Sequence, residues 1–198
     1  MAAPRTRQQG QAKRADARRN IAAILDAAQE ALIADPEANI GEIAKRAGVG
    51  RVTLYGHFAS RAELVDAVFT RAVAASDHTL DAVDLEGDPR AAMGRLVAAS
   101  WKLIDQFRAL LLAAHNHIPA ERIRAAHDRP MHRVGRLIER GRAEGAFRAD
   151  LPTSWMVAVY HSVIHGAATE IAAGRLADDD AADVITSTLL AAYAPPAE

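Results

Sequence analysis

The stretch IGEIAKRAGVGRVTLYGHFASRAEL, residues 40–64, decides the fold of this chain. It predicts two short helices joined by a left-handed turn at Gly48, with a third helix beginning behind them. Asn39 precedes the first helix as an N-cap, with Glu42 three residues later as in a capping box, and Ser60 repeats this pattern before the third helix. Short capped helices around a glycine turn are typical of a helix-turn-helix unit.

The second of these helices is crowded with hydrogen-bond donors. The donors on the helix or shortly after it are Arg51, Thr53, Tyr55, His57 and Arg61. Guanidinium, hydroxyl and imidazole groups on a short helix suit contacts with DNA phosphates and base edges. Gly50 and Gly56 add no side chain to this surface, so the edge that could read bases is narrow.

The composition favours an all-α protein of one large or two small domains. Half of the 198 residues are hydrophobic and only 5% are aromatic, a balance that favours helices over sheets. We find no apolar run of about 18 residues, and the basic N-terminus lacks the apolar core of a secretory signal. Together with the absence of Cys, these features fit a cytoplasmic protein.

The charge is distributed unevenly along the chain. Residues 1–20 hold six basic side chains against one acidic side chain, although the whole chain has a net charge of -1. A basic front on an acidic body indicates a polyanion partner at the N-terminal end, but a solvated basic tail would give the same balance. The polar composition of residues 1–14 predicts a disordered arm.

Apolar residues at helical spacing continue through the rest of the chain. The first helix is expected from about Asp16 to Asp35, and the helix after Ser60 is expected to end near Val83. DLEGDP, residues 84–89, is the clearest break. The later helices are predicted at about 90–118, 120–126, 130–144, 152–174 and 180–193. No strand signal is evident, so the predicted class is all-α.

The segments EIAKRAGV and TLYGHFASRAEL resemble the TetR family of bacterial transcriptional repressors, over roughly residues 21–69. GRAEGAFRADLP, residues 141–152, resembles an element of the family's C-terminal domain. The resemblance implies a homodimer on double-stranded operator DNA, joined through the last two long helices of each subunit. It also implies a small-molecule effector that changes the spacing of the DNA-binding heads. The implied domains are a disordered basic arm at 1–14, a helix-turn-helix domain at 15–70 and a ligand-binding and dimerisation domain at 71–198.

The resemblance also implies roles on the DNA face. Thr53, Tyr55 and His57 match family positions that contact phosphate or sugar. Arg51 lies in the first turn of the recognition helix, where arginine pairs with guanine, and Val52 is either in contact with a thymine methyl or buried. The remaining DNA-binding candidates are Asn39, Lys45 and Arg61, the last at the position of a family lysine that holds the DNA backbone.

A ligand cavity is expected among the middle helices, where aromatic and polar side chains mix. The candidate lining residues are Trp101, Phe107, Leu111, His115, Met131, Val134 and Trp155. Each of them could instead belong to an ordinary core. Two alternatives to a ligand-released repressor stay open: an activator or protein-sensing regulator of the same family, and a helical binding module without DNA activity.

His161 and His165 lie four residues apart on one helix, a spacing that can hold a metal ion. No Cys or Glu pair completes a known metal motif, so we expect no metal and no other cofactor, with hydrogen bonding across a dimer interface as the alternative. The chain also has no Gly-rich phosphate loop, no GxSxG and no HExxH. We therefore expect no enzymatic activity.

Overall fold

The computed structural model describes residues 5–196, with side chains from residue 16 onward. Within this range the chain forms ten α-helices and no strands, which confirms the predicted all-α class. The helices are α1 Arg5–Ala34, α2 Ile40–Arg46, α3 Arg51–His57, α4 Arg61–Asp81, α5 Pro89–Gln106, α6 Arg108–His117, α7 Ala120–Ala126, α8 Asp128–Ala143, α9 Thr153–Ala172 and α10 Ala181–Ala192. None of the described helices is long and apolar enough to cross a membrane.

The first helix begins at Arg5, well before its predicted start near Asp16. The prediction of a disordered arm is therefore wrong for residues 5–14, while residues 1–4 lie outside the described residues. Eight of residues 5–14 are Gln, Ala, Lys or Arg, which are all good helix formers, and the helix continues through Gly10 into the apolar part of α1.

The predicted caps around the helix-turn-helix are confirmed. The Asn39 side chain accepts a hydrogen bond from the Glu42 amide at 3.0 Å, and the Glu42 carboxylate accepts one from the Asn39 amide at 3.2 Å. Gly48 has a φ of 68°, the left-handed conformation that its turn requires. The Ser60 hydroxyl accepts a hydrogen bond from the Glu63 amide at 3.1 Å and so fixes the start of α4.

The long helix predicted over residues 90–118 is divided into α5 and α6 at Phe107. The Phe107 backbone has a φ of -108° and a ψ of 17°, which leaves the helical region. Neither Gly nor Pro lies at this point, and the apolar periodicity continues through it. The sequence therefore predicts one continuous helix here. No local residue signal accounts for the division.

The chain divides into two compact units. The first comprises the described residues up to Arg71 together with Ala109–Ile123, and the second comprises Ala72–Arg108 and the described residues from Arg124 onward. Most of α6 therefore belongs to the unit that carries the helix-turn-helix, a grouping that the sequence did not indicate. Within the first unit, α1 packs against α2 and α2 against α3.

The core of the second unit is formed where α5, α8, α9 and α10 pack together. Two buried tyrosines tie these helices to one another. The Tyr160 hydroxyl donates a hydrogen bond to the Ser100 hydroxyl at 2.9 Å, and the Tyr193 hydroxyl donates one to the Met156 carbonyl at 2.6 Å. The buried tyrosine hydroxyls are thus satisfied, which allows them to sit in an apolar core.

A buried ion pair joins α4 to α8 in the same unit. The Arg133 guanidinium donates to the Asp77 carboxylate at 2.8 Å and also binds Asp81. Arg129 adds a second contact to Asp77, at 2.8 Å. The hydrogen bond from Arg133 lowers the pKa of Asp81, because it favours the charged carboxylate.

Candidate nucleic-acid interface

The helix α3 is anchored on one side and open on the other. Leu54 is fully buried and Phe58 nearly so, whereas Val52 is 88% exposed and Tyr55 is 51% exposed. Since Leu54 fixes the rotation of this short helix, the residues on either side of it are turned outward. The structure thus decides between the two expectations for Val52, which lies on the surface and not in the core.

Arg51 lies against the backbone of α2. A Cβ atom built on Gly41 would stand only 2.2 Å from Nη2 of Arg51, so the missing side chain at Gly41 makes room for the guanidinium. The predicted base-reading side chain is exposed, but it lies back over α2. It must swing outward to reach a base edge, which a flexible arginine can do.

An open cleft with a volume of about 520 Å³ lies beside this arginine in the first unit. Its lining residues are Glu37, Asn39, Ile40, Gly41, Arg51, Tyr55, Arg61 and His117. Four predicted DNA-binding candidates therefore line one surface depression, namely Asn39, Arg51, Tyr55 and Arg61. The charges of its walls are mixed, because the Glu37 carboxylate faces the same cleft as two guanidinium groups.

Arg61, which is predicted to hold the DNA backbone, makes hydrogen bonds within its own unit. Its Nη2 donates to the Pro36 carbonyl at 2.7 Å, its Nη1 donates to the Ala38 carbonyl, and its Nε donates to Nε2 of His117 at 3.0 Å. Every nitrogen of the guanidinium thus holds an acceptor of the same unit. Arg61 thus connects the α1–α2 loop to the end of α6. Its partner on α6, His117, is 56 residues away in the sequence, and no local sequence signal indicates this contact.

The other predicted DNA contacts lie on α3 and on or just before α2. Thr53 and Lys45 are exposed, and His57 is half-buried at the end of the helix. The Asn39 side chain is occupied by its cap, so its free amide nitrogen is the part available to a ligand. Of the basic N-terminal segment, only Arg18 and Arg19 have described side chains, and both are exposed.

The predicted lining of the effector cavity is not brought together within one unit. Leu111 and His115 belong to the first unit, and the other candidates, Trp101, Phe107, Met131, Val134 and Trp155, belong to the second. Trp101 and Val134 are buried in the core of the second unit, while Phe107 and Met131 are half-buried. Trp155 is 57% exposed on α9, a position on the outside of its unit.

The structure adds a third histidine to the pair that the sequence indicated. His127, at the N-terminal end of α8, lies beside His161 and His165 of α9. Ring centroids are separated by 5.4 Å in both pairs that include His127 and by 4.3 Å between His161 and His165. Helical periodicity predicts that His161 and His165 lie close together. His127 approaches them only through the packing of α8 on α9, which a sequence pattern does not encode.

Comparison with known proteins finds similarity in one segment of the sequence and in the fold. Residues 24–68 match the family model described as bacterial regulatory proteins, tetR family. No curated protein matches the chain. The resemblance identified from the sequence is confirmed by the family match and by the solved structures that share its fold.

Three solved structures illustrate the range of sequence identity and structural similarity to this chain. A protein with unknown function from Rhodococcus sp. RHA1 has 23% identity and a TM-score of 0.72, over 88% of this chain and 95% of that chain. The TetR-like regulator LfrR from Mycobacterium smegmatis, in complex with proflavine, has 25% identity and a TM-score of 0.62, over 87% and 94%. The regulator FadR from Bacillus subtilis, in complex with stearoyl-CoA, shares the fold at 14% identity and a TM-score of 0.71, over 85% and 96%.

Proposed function

We propose that this chain is a TetR-family regulator that binds operator DNA as a homodimer and represses transcription until a small hydrophobic effector releases it. The family match over residues 24–68 supports the helix-turn-helix part of this proposal. In this proposal the chain acts in the cytoplasm and has no enzymatic activity. The observation that carries the proposal is the exposed face of α3. Val52 and Tyr55 are turned outward beside Arg51, on a helix held in place by the buried Leu54. That arrangement suits a helix that enters a major groove.

The exposed apolar surface of the last two helices supports the homodimer. Trp155 on α9 is 57% exposed and Val184 on α10 is 44% exposed, and both are large side chains outside the core. Val163 on α9 and Leu190 on α10 are only half-buried. A second copy of the chain would bury these groups, and two copies would present two recognition helices to the two halves of an operator.

The effector is proposed to be a small hydrophobic molecule. The support is the similarity to LfrR, which was solved in complex with proflavine. Release would be a population shift between two conformations of the dimer that differ in the spacing of their DNA-binding heads. An effector that binds more tightly to the conformation that does not fit DNA would lower the population of the one that does. Half-sites one DNA turn apart, roughly 34–36 Å or a multiple, set the spacing that binding requires.

The proposal is tested by titrating fluorescent DNA from upstream of the chain's own gene with the purified protein at several salt concentrations. Tight binding to this DNA, weaker binding to a scrambled duplex of equal length, and a fall in affinity with salt are expected. Equal affinity for both duplexes at every salt concentration would leave only non-specific attraction and would refute an operator-binding function.

The regulatory direction is tested separately with a reporter gene behind the same DNA. Repression predicts low reporter output with the chain and higher output without it. The reverse result would indicate an activator. Screening hydrophobic compounds for a rise in melting temperature, followed by loss of DNA binding, distinguishes a small-molecule effector from a protein one.

A further inference from the structure

Three imidazole rings converge inside the second unit. His161 and His165 are one turn apart on α9 and therefore project from the same face of that helix. His127 immediately precedes α8, which packs against α9. The packing of these two helices brings His127 to the pair, and all three rings are half-buried.

The ligand atoms of these rings are close enough to share one ion. One nitrogen from each ring can be chosen so that all three lie within 4.8 Å of one another. Nitrogen ligands at about 2.0–2.1 Å from a tetrahedral ion stand roughly 3.3–3.4 Å apart. The nitrogens therefore have to approach one another by at most about 1.5 Å to hold one ion, a movement that side-chain rotation can supply.

We propose that His127, His161 and His165 form a binding site for one divalent transition-metal ion of the zinc, cobalt, nickel or copper class. Imidazole nitrogen is a preferred ligand for these ions, whereas calcium and magnesium require oxygen ligands. Three protein ligands leave at least one coordination position open to water or to another small ligand.

The site ties the start of α8 to the middle of α9. An ion bound by all three side chains stabilises the folded second unit, because such a site does not exist in the unfolded chain. This proposal is independent of the DNA-binding function, since all three residues lie in the second unit and none belongs to α3. The site can therefore be tested without DNA.

The test is a titration of the untagged, full-length, metal-free chain with Co²⁺, followed by visible absorption, and with Zn²⁺, followed by calorimetry. We expect one ion per chain, cobalt bands typical of nitrogen ligands, and a higher melting temperature with Zn²⁺. His127→Gln, His161→Gln and His165→Gln should each weaken binding by about tenfold or more. The matched control is His132→Gln on α8, because His132 is exposed and lies outside the group.

Circular dichroism of each metal-free variant separates a lost ligand from a lost fold, and three independent variants leave the proposal testable if one of them fails to fold. Binding that is weakened by the three cluster variants and retained in the control supports the site. No binding by the wild-type chain, or equal affinity of the wild-type chain and folded cluster variants, would overturn it and leave a packed histidine cluster.

Discussion

Arg51 and Tyr55 are exposed residues of α3, the helix that we propose enters the major groove. The Tyr55 side chain is half-exposed on α3, and the exposed Arg51 side chain lies beside Gly41 of α2. We expect Arg51→Ala to weaken specific DNA binding by about 1–3 kcal/mol, because arginine contributes to base readout. Tyr55→Ala should weaken binding to all duplexes, since its hydroxyl is assigned to the backbone. Fluorescence anisotropy with upstream and scrambled DNA measures both effects.

Two further variants control this prediction. Arg136→Ala removes an exposed arginine from α8 in the second unit and should leave DNA affinity unchanged. Tyr55→Phe keeps the ring and removes only the hydroxyl, so it should reproduce most of the loss seen with Tyr55→Ala. If Arg51→Ala and Tyr55→Ala bind DNA like the wild-type chain while remaining folded, α3 is not the contact surface.

Arg61 provides a second prediction at the scale of one residue. Its guanidinium holds the carbonyls of Pro36 and Ala38 and the ring of His117. Arg61→Ala should lower the free energy of unfolding by roughly 1–3 kcal/mol, because it removes charge-assisted hydrogen bonds from a half-buried site. Arg61→Lys should recover little, since an ammonium cannot reproduce the planar fork of donors. Urea unfolding gives the measurement.

Arg46→Ala is the matched control for this change, because Arg46 is exposed on α2 of the same unit. Its unfolding midpoint should match that of the wild-type chain. An unchanged midpoint for Arg61→Ala together with a sharp loss of DNA affinity would instead restore the DNA-backbone role that the resemblance implies.

At the scale of helices, the packing of α5, α9 and α10 depends on two buried tyrosines. Burial raises the pKa of Tyr160 from its ordinary value of 10.0 to about 12, and it raises the pKa of Tyr193 as well. A group whose folded pKa is raised stabilises the fold fully below its unfolded pKa and loses that contribution as the pH rises. The second unit should therefore lose stability between about pH 10 and pH 12.

This alkaline transition is measured by circular dichroism together with the ultraviolet absorbance of the phenolate. Tyr160 and Tyr193 should ionise only as the helices unfold. Tyr160→Phe should cost about 0.5–1.5 kcal/mol at neutral pH through its lost hydrogen bond with Ser100, yet shift the transition to higher pH. Ionisation of all three tyrosines near pH 10 in a folded chain would contradict the account.

The helices also show which features a sequence can predict. The caps at Asn39 and Ser60 and the turn at Gly48 were predictable, because each depends on residues within a few positions. The break at Phe107 was not predictable, since no Gly or Pro marks it. The early start of α1 was not predictable either, since Pro4 and the polar residues around Gly10 favour a loop over a helix.

The candidate sites also differ in whether local sequence or long-range packing determines them. The outward face of α3 follows from the spacing of its residues around Leu54. The brace between Arg61 and His117, and the approach of His127 to His161, arise from helix packing between distant parts of the chain. Such contacts leave no pattern in a single sequence, so only the structure reveals them.

At the scale of the whole molecule, DNA binding is expected to depend on pairing of two chains. Trp155 and Val184 are the large exposed apolar side chains of α9 and α10. The double variant Trp155→Ser/Val184→Asp should shift the chain to a monomer, because it removes apolar area and places charge in the interface. Specific DNA affinity should fall with it. Analytical ultracentrifugation measures the assembly, and anisotropy measures the affinity.

Leu112→Asp is the control for this variant, because Leu112 is also 54% exposed but lies on α6 in the first unit. It should leave the dimer intact. A double variant that stays dimeric would place the subunit interface elsewhere, and a wild-type chain that is monomeric at micromolar concentration and still binds DNA specifically would refute the dimer.

The central claim, that α3 of a dimeric chain reads an operator, is tested most directly by selecting duplexes from a random DNA library with the wild-type chain and with Arg51→Ala. The account predicts that the wild-type chain enriches a palindrome, with half-sites about 10 base pairs apart or a multiple of that spacing. Enrichment should be lost or relaxed with Arg51→Ala. No enriched sequence with the wild-type chain, or the same palindrome at the same strength with the variant, would contradict the account.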